Sequence, residues 1–274
     1  MKISDVYSEV KDIKAGLPQG GVLGPILHTL YIDNISTTTN SKILTFADDM
    51  ATWYTRHTNA ETAVTLPQEH IRRIEKWLQD KQIKANPSKC NHITFTLRKW
   101  KPPHIQLNGT HITQTRQVKY LGLHSGTQLT WKQHIKSIID KIRIKRRQMY
   151  WLTSQNSKLS IENKLKIYKT IMKPIWTYEM PLWGTAAMSH INKLESLQSK
   201  ILRTIVNALW YIRNKDIRKD LKIPTVKEEI GRYPEKYKER TATHLNQLAA
   251  EASKTLLERR LKRKLLTDLT EEIK

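Results

Sequence analysis

The chain has 274 residues, a length that allows one large domain or two modest ones, and we expect two. Its 48 lysines and arginines against 25 acidic residues give a formal charge of +23, which favours a polyanionic partner such as nucleic acid. A single cysteine excludes an intrachain disulfide and a cysteine zinc site. No apolar run reaches the roughly 18 residues that a membrane span requires, so we expect no membrane partner.

The first predicted element is a helix that follows a glycine-rich loop. Gly16–Gly21 carries turn residues, and an apolar run of helical length comes directly after it. Proline is tolerated in the first turn of a helix, so Pro25 places the predicted helix start near Leu23 to Pro25.

A β-hairpin with two carboxylates at its tip is predicted next. Lys42–Ala47 and Met50–Tyr54 are β-prone, and only Asp48 and Asp49 separate them. Adjacent carboxylates repel each other unless a hard divalent cation such as Mg²⁺ lies between them. Exposed paired aspartates beside a basic groove therefore fit two-metal phosphoryl transfer. For an isolated pair, an ordinary acidic surface turn is the simpler interpretation.

The remainder of the first region is predicted to mix helix and strand. Asn59–Asp80 has helical spacing of its apolar residues, and His92–Leu97 has the composition of a strand. A second hairpin is predicted from Val118–Leu123 and Leu129–Trp131, with Ser125–Gly126 supplying the turn. Residues 1–131 therefore form a predicted α+β region.

Beyond residue 131 the sequence becomes helical. Residues 132–210 contain several amphipathic stretches, one of which repeats apolar residues from Leu194 to Ile205. Pro224 and Pro234 suggest that residues 211–240 are a connector, and a further helix is predicted from about Thr243 to Leu269. The C-terminal part is strongly basic.

The predicted helices after Trp131 are also unusually positive. Between Lys132 and Pro174 there are 12 lysines and arginines, and the only acids are Asp140 and Glu162. A merely solvated helical face would carry acids four residues away from its basic residues. Their scarcity favours contact with a phosphate backbone. The basic residues predicted to make this contact are Lys141, Arg143, Lys145, Arg146 and Arg147.

Four motifs in order resemble those of reverse transcriptases from non-LTR (LINE-type) retrotransposons, and most closely the jockey-like elements of insects. These motifs are Gly16–Pro25, the Phe-Ala-Asp-Asp box at Phe46–Asp49, Asn86–Cys90 and Lys119–Leu123. Weaker similarity continues into the helical region. The resemblance implies an RNA-directed DNA polymerase domain of a transposable element.

The same resemblance implies a fold and a division into domains. The expected class is α+β: a partial right-hand polymerase palm, with an antiparallel sheet and helices, then an all-α thumb and a helical tail. Residues 1–131 would form the partial palm with its primer-grip hairpin. Residues 132–210 would form the thumb, and residues 211–274 would form the basic helical C-terminal region.

For the catalytic centre, the resemblance implies that Asp48 and Asp49 bind the catalytic metal, Mg²⁺ or alternatively Mn²⁺. Lys89 would lie near the phosphates of the incoming nucleotide. Lys89 could equally be a solvated lysine at the end of a strand.

For the nucleic acid, the resemblance implies that a loop and a hairpin contact template and primer. The loop of Pro18, Gln19 and Gly20 would line the nascent base pair and the template, although Gln19 could instead satisfy backbone groups of its own loop. The hairpin residues Tyr120, Leu121 and Gly122 would form the primer grip, or alternatively Tyr120 and Leu121 could be plain core residues.

The partners implied are an RNA template, a DNA primer and deoxynucleoside triphosphates. Upstream fingers and palm and an endonuclease region of a parent polyprotein are family expectations too. The first residues do not resemble a signal peptide. An intracellular location follows as an expectation, in the nucleus or in the cytoplasm, as part of an element ribonucleoprotein.

One departure from the family pattern concerns a further palm aspartate, which in this family lies on a strand before the glycine-rich loop. Asp5 and Asp12 are the only candidates, and neither follows an apolar strand. We therefore expect that strand and the fingers to be missing and the chain alone to be inactive. The alternative function is a catalytically dead remnant that binds template and primer. A missing strand could also leave an open sheet edge that promotes aggregation.

Overall fold

The computed structural model describes residues 2–3, 6–7, 20–35, 41–54, 62–96 and 104–245. These residues form two compact units that interleave along the chain. The first unit takes in the described residues of Met1–His92 and Pro102–Gln114, and the second takes in those of Ile93–Lys101 and Thr115–Lys274. The division before Thr115 differs from the boundary predicted near Trp131, because the residues just before Trp131 pack with the helical unit.

The first unit combines two helices with short strands. Its helices are α1 (Leu23–Ile32) and α2 (Thr62–Asp80). Its strands are β1 (Lys2–Ile3), β2 (Val6–Tyr7), β3 (Ser41–Phe46), β4 (Asp49–Tyr54), β5 (Asn91–His92), β6 (Gln106–Leu107), β7 (Thr110–His111) and β8 (Thr113–Gln114). The pairs β1–β2, β3–β4 and β6–β7 are antiparallel, and β5–β8 is parallel.

The mixed helix and strand content agrees with the predicted class, but the sheet is not continuous. Among the described residues every sheet has two strands, whereas one antiparallel palm sheet was expected. The strand predicted over His92–Leu97 is also shorter, because among the described residues 91–96 only Asn91 and His92 have a strand partner. Farther along, the backbone N–H of Thr96 donates to the carbonyl of Thr127 in the second unit.

A small apolar cluster holds the first unit together around α2. Ile74, Trp77 and Leu78 are buried, and Ile32, at the end of α1, and Ile43 of β3 pack against them. Spacing of three and four residues puts the three α2 side chains on one face of the helix. This cluster attaches the β3–β4 hairpin to the two helices.

The second unit is mostly helical and begins with one hairpin. Its strands are β9 (Gln117–Tyr120) and β10 (Leu123–Gly126). Its helices are α3 (Lys132–Gln148), α4 (Tyr150–Thr153), α5 (Ile161–Ile167), α6 (Lys173–Thr177), α7 (Met180–Trp183), α8 (Met188–Val206), α9 (Asn214–Leu221) and α10 (Val226–Ala242). Tyr168–Met172 is π-helical and joins α5 to α6.

The core of the second unit forms around the apolar faces of α3 and α8. From α3 it contains Ile135, Ile138, Ile139 and Ile142, and from α8 the stripe that includes Leu194, Leu197, Ile201 and Ile205. The large side chains of Tyr168, Trp176 and Trp183 fill the space against these stripes and are almost completely buried. The helical pattern predicted for residues 132–210 is therefore confirmed.

Two predictions about the second unit are wrong. The hairpin turn lies at Leu121–Gly122, so Ser125–Gly126 belongs to β10, and Leu129–Trp131 forms no strand. Residues 211–240 are not a connector, because α9 and most of α10 lie there. Ile217, Val226 and Ile230 from this segment are buried in the core.

A capping box explains why a helix begins immediately after Pro224. The Thr225 hydroxyl accepts from the backbone N–H of Glu228, and the Glu228 carboxylate accepts from the backbone N–H of Thr225. This reciprocal pair satisfies two donors at the start of α10. Most of the helix predicted from Thr243 to Leu269 lies outside the described residues. Among the residues that are described, no helix has both the length and the apolar character to cross a membrane.

A substitution at Gly184 tests the packing of α7 against α10. A Cβ at that position would lie 2.7 Å from the carbonyl oxygen of Met180 and 3.0 Å from Cγ2 of Ile230. We expect Gly184→Ala to reduce the free energy of unfolding by about 1–3 kcal/mol, because the Met180 carbonyl and the Ile230 side chain must both shift. Chemical denaturation followed by helical circular dichroism measures this change.

Gly126→Ala is the matched control. Its added Cβ would meet only the carbonyl of Arg116, at an ordinary 3.8 Å. We expect a change within about 0.5 kcal/mol for this variant. Equal stability of the two variants would contradict the tight packing at Gly184.

Candidate metal and nucleic-acid sites

The Phe-Ala-Asp-Asp motif forms the tip of the β3–β4 hairpin. Phe46 pairs with Asp49, so Ala47 and Asp48 are the two turn residues and Asp49 is the first residue of β4. This places one aspartate in the turn and the other beside it, a small shift from the prediction that both form the turn. Both aspartates are exposed.

The turn has a strained backbone. Ala47 has a φ of 51°, and a positive φ at the first turn residue is what the primed hairpin turns require. Glycine adopts this conformation without penalty, whereas a residue with a Cβ does not. Strained backbone of this kind concentrates at functional sites.

The two faces of the hairpin have different surroundings. Ile43 packs on the apolar cluster of α2, whereas Asp49 shares its face with its partner Phe46, which is exposed. Directly paired residues lie on the same face of an antiparallel ladder. The buried face therefore anchors the hairpin and the other face presents a carboxylate to solvent.

Two hydrogen bonds join the C-terminal ends of α1 and α2. The indole N–H of Trp77 donates to Oδ1 of Asn34 at 3.2 Å. The hydroxyl of Tyr31 donates to the carbonyl of Lys81 at 2.5 Å, and the Lys81 ammonium lies 4.8 Å from the Tyr31 ring centroid. Asn34 had no predicted role, because its partner lies 43 residues away.

Asp48 and Asp49 fit a hard divalent cation. Exposed carboxylate oxygens are the ligands that Mg²⁺ prefers, with water and substrate phosphates completing its octahedral coordination. Across the described part of the chain, no group of three or more histidine, cysteine or acidic side chains is close enough to hold a metal. The pair can therefore supply part of a coordination sphere.

The other predicted residues of the first unit are only partly described. Pro18 and Gln19 lie outside the described residues, whereas Gly20 is exposed and has a φ of 90°. Lys89 is exposed at the end of a 3₁₀ turn, Pro87–Lys89, which the Asn86 side chain caps by accepting from the backbone N–H of Ser88. The Lys89 side chain is thus accessible to an anion.

The predicted primer-grip residues form the tight turn of the β9–β10 hairpin. Tyr120 pairs with Leu123, and both turn residues have positive φ, 45° for Leu121 and 82° for Gly122. Positive φ at both positions is the requirement of a type I′ turn. Leucine is rare in this conformation, so the surrounding structure must stabilise the turn.

Tyr178 contributes to that stabilisation. Its hydroxyl donates to the carbonyl of Leu121 at 2.9 Å. A Cβ on Gly122 would lie 3.5 Å from Cε1 of Tyr178, which is ordinary contact distance. Positive φ therefore restricts position 122 more than space does. Tyr178 follows Leu121 by 57 residues, so no local sequence signal predicts this contact.

The five basic residues predicted on α3 lie away from its buried stripe. Lys141, Arg143, Lys145 and Arg147 are exposed, and Arg146 is half-buried. Spacing of four residues aligns Lys141 with Lys145 and Arg143 with Arg147. Arg143 lies 3.3 Å from Asp140, and Arg146 donates to the Thr204 hydroxyl, so these two also make contacts within the protein.

Not every basic residue of this region faces solvent. Lys164 is buried, and its ammonium donates to the carbonyl of Ser154 at 2.8 Å. Lys173 forms a 2.5 Å ion pair with Glu229 of α10. These two lysines stabilise the helical unit, so the charge count along the sequence overstates the positive surface.

A buried histidine links the hairpin to α3. His134 accepts from the backbone N–H of His124 on β10 through Nδ1, and Trp183 lies 6.4 Å away, ring centroid to ring centroid. Burial, followed by the charges of His124 and Lys141, lowers the pKa of His134 to about 4. The hairpin and the basic helix therefore belong to one packed assembly within the second unit.

Comparison with known proteins supports a common origin for the hairpin motifs. Residues 3–125 match the family model described as reverse transcriptase (RNA-dependent DNA polymerase). The chain is 35% identical to a probable RNA-directed DNA polymerase from transposon X-element of Drosophila melanogaster, over 98% of this chain. It is 36% identical, over 96% of its length, to the RNA-directed DNA polymerase from mobile element jockey of the same species.

A third relative is the RNA-directed DNA polymerase from mobile element jockey of Drosophila funebris, which is 38% identical over 88% of this chain. The chain spans about 30% of the length of these curated relatives (30%, 30% and 27%). No solved structure matches the chain.

The Tyr178 contact generates a prediction for the β9–β10 hairpin. We expect Tyr178→Phe to cost about 0.5–1 kcal/mol, because it removes the hydroxyl that supports the Leu121 carbonyl. Hydrogen exchange of the hairpin amides should accelerate about twofold to fivefold. Tyr237→Phe, at an exposed tyrosine of α10, is the control, and equal exchange in both variants would contradict the proposed support.

The low pKa of His134 predicts a pH dependence of stability. Between its ordinary value and about 4, the unfolded chain binds a proton that the folded chain excludes. This component of stability is therefore present at pH 7 and is lost as the pH falls through that window, by about 3 kcal/mol in total. Denaturation midpoints measured from pH 7 to pH 4 test this.

His134→Gln isolates the contribution of this one side chain. Glutamine keeps an acceptor for the His124 N–H but does not titrate. We expect the variant to lose less stability than the wild type over the same pH range. Identical pH dependence in the two proteins would show that His134 is not the group responsible.

Proposed function

Residues 3–125 of this chain belong to the reverse transcriptase family, and on that premise we propose that the chain supplies part of an RNA-directed DNA polymerase of a non-LTR mobile element. Its relatives bear that activity in their names. The substrates proposed are an RNA template, a DNA primer and deoxynucleoside triphosphates. Palm and thumb are the roles proposed for the first and second units.

The observation that carries this proposal is the exposed carboxylate pair on a strained hairpin tip. Asp48 and Asp49 lie within the residues that match the family, and the hairpin is anchored through Ile43 to the α2 cluster. An ordinary acidic surface turn has no need of a non-glycine residue at positive φ. That combination favours a metal-binding role over an ordinary turn.

Asp48 and Asp49 would hold the catalytic cation. When bound, Mg²⁺ or Mn²⁺ would neutralise phosphate charge and lower the barrier for in-line attack by a primer 3′-hydroxyl. The two carboxylates would contribute by fixing the position of that charge. Gly20, and Pro18 and Gln19 before it, are proposed to line the template, and Lys89 is proposed to attract the nucleotide phosphates.

The second unit is proposed to hold the primer and its duplex. The turn of Tyr120, Leu121 and Gly122 is stiff because Tyr178 supports it, and a stiff turn suits a group that positions a primer end. The exposed residues Lys141, Lys145 and Arg147 would contact phosphates without reading sequence. Each contact would release counterions, so affinity would fall as salt rises.

A second candidate function is binding of template and primer without catalysis. It is favoured by the second unit, where a stabilised turn and a basic helix are packed together through His134. These features require neither Asp48 nor Asp49. The two candidate functions therefore make different predictions for the same substitution.

Primer extension by the 274-residue chain on an RNA template with a DNA primer separates the two candidates. Where the chain incorporates nucleotides in Mg²⁺ or Mn²⁺, Asp48→Asn should reduce that incorporation by at least about 100-fold, because a metal ligand is lost. Asp80→Asn, at an exposed acid that ends α2, is the matched control and should retain incorporation.

Template-primer affinity measured alongside completes the test. We expect it to weaken with salt and to be unchanged by Asp48→Asn. Absence of incorporation in the unsubstituted chain, with salt-sensitive binding intact, would favour binding without catalysis. Incorporation that survives Asp48→Asn would rule out the proposed metal role of that residue.

A further inference from the structure

The helices α3 and α8 run in the same direction and end next to each other. Near their starts, the ring centroid of His134 on α3 lies 6.4 Å from that of Trp183, which precedes α8 by five residues. At their end, Nη2 of Arg146 donates to the Thr204 hydroxyl at 3.2 Å. Segments that follow the two helices therefore leave from the same end of the pair.

Both segments expose aromatic side chains as they leave that end. Tyr150 and Trp151 follow α3, and Trp151 is 71% exposed. Trp210 and Tyr211 follow α8, and Trp210 is 88% exposed. We call these four residues the aromatic end surface. Single exposed apolar residues are common, but two aromatic pairs leaving one end of a helix pair are not.

The Trp210–Tyr211 pair is held in a defined turn. The backbone N–H of Ile212 donates to the carbonyl of Leu209 at 3.1 Å, which puts Trp210 and Tyr211 at the turn's two central positions. The guanidinium of Arg203 donates to both flanking carbonyls, at 2.5 Å for Leu209 and 2.7 Å for Ile212. Arg203 is thus a positioning residue for this turn.

The geometry of the pair leaves ring faces accessible. The Trp210 and Tyr211 ring centroids are 5.8 Å apart with an interplanar angle of 86°, an edge-to-face arrangement. Rings stacked on each other would cover one face each, whereas an edge-to-face contact covers one face of only one of the two rings. An accessible indole face is the surface on which a nucleic-acid base stacks.

Most of the charges at this end have the sign that a nucleic acid requires, and Asp216 is an exposed acid beside them. Lys145 and Arg147 are exposed in the last turn of α3, and Arg213 and Lys215 are exposed directly after the aromatic turn. A surface for a second copy of this strongly basic chain would place like charges opposite each other. Charge complementarity therefore favours an anionic occupant.

We propose that the aromatic end surface binds single-stranded nucleic acid, with bases stacked on Trp210 and Trp151 and phosphates on the neighbouring basic residues. Interior bases of a duplex are stacked on each other and offer no free face, so a duplex would use mainly the phosphate contacts. This inference rests on the proposed function for its choice of nucleic acid as ligand. It assigns to the helical unit a site for unpaired strand.

Fluorescence anisotropy with the 274-residue chain tests the proposal. The probe is a labelled, mixed-sequence RNA of about 15 nucleotides without self-complementarity, beside a blunt RNA–DNA duplex of the same length. We expect Trp210→Ala to weaken single-strand binding roughly 5- to 100-fold and Trp151→Ala to act in the same direction. Duplex binding should stay within about twofold for both variants.

Two further variants separate stacking from other effects. Trp210→Phe keeps an aromatic face and should retain most of the single-strand affinity. Tyr237→Ala removes an exposed aromatic side chain of α10, which packs on α7 through Ile230 rather than on the end of α8. We expect this control to bind single strands like the wild type.

Several outcomes would overturn the proposal. Single-strand affinity unchanged by both Trp210→Ala and Trp151→Ala would do so, as would an equal loss for single strand and duplex. Sedimentation showing that the wild type self-associates and Trp210→Ala does not would reassign the surface to a second copy. None of these measurements depends on nucleotide incorporation, so failure here is distinguishable from failure of the Asp48 test.

Discussion

Burial of the isoleucine stripe of α3 against α8 is the constraint on which the second unit depends. Ile135, Ile138, Ile139 and Ile142 face the core, and the helical period then forces the basic residues of α3 outward. His134 at the start of the same stripe connects β10 to the core. One apolar face thus determines where the positive charge, the hairpin and the aromatic turn lie.

The two hairpins that carry the family motifs use the same physical device in separate units. Each has a two-residue turn whose first residue is not glycine but has positive φ, Ala47 in one and Leu121 in the other. The energetic cost of the positive φ is offset differently in each hairpin. The buried face of β3 anchors the first hairpin, whereas the Tyr178 hydroxyl supports the turn of the second.

Features that depend on residues close together along the chain could be predicted from the sequence. The β3–β4 hairpin, the start of α1 and the helical pattern after Trp131 follow from local periodicity and turn chemistry. The second hairpin was misplaced because Ser125–Gly126 has the stronger turn composition, whereas Tyr178 stabilises Leu121–Gly122 from far along the chain.

Other features depend on tertiary contacts that composition cannot report. From the sequence, Lys164 is indistinguishable from a surface lysine, yet its ammonium donates a hydrogen bond to the carbonyl of Ser154. Residues 211–240 read as a proline-marked connector, yet the Thr225 capping box starts a helix that the core then buries. The metal-binding role of Asp48 has a different basis, because it comes from the family resemblance. Primer extension with Asp48→Asn tests it.

The interleaving of the two units has a consequence for cutting the chain into parts. The chain leaves the first unit after His92, returns to it at Pro102 and leaves it again after Gln114. It therefore passes between the units three times. A fragment ending at Trp131 would contain β9 and β10 without the helix that carries His134. Limited proteolysis near Trp131 would therefore divide the second unit, and a fragment that begins at Lys132 would lack the hairpin that packs on its own core.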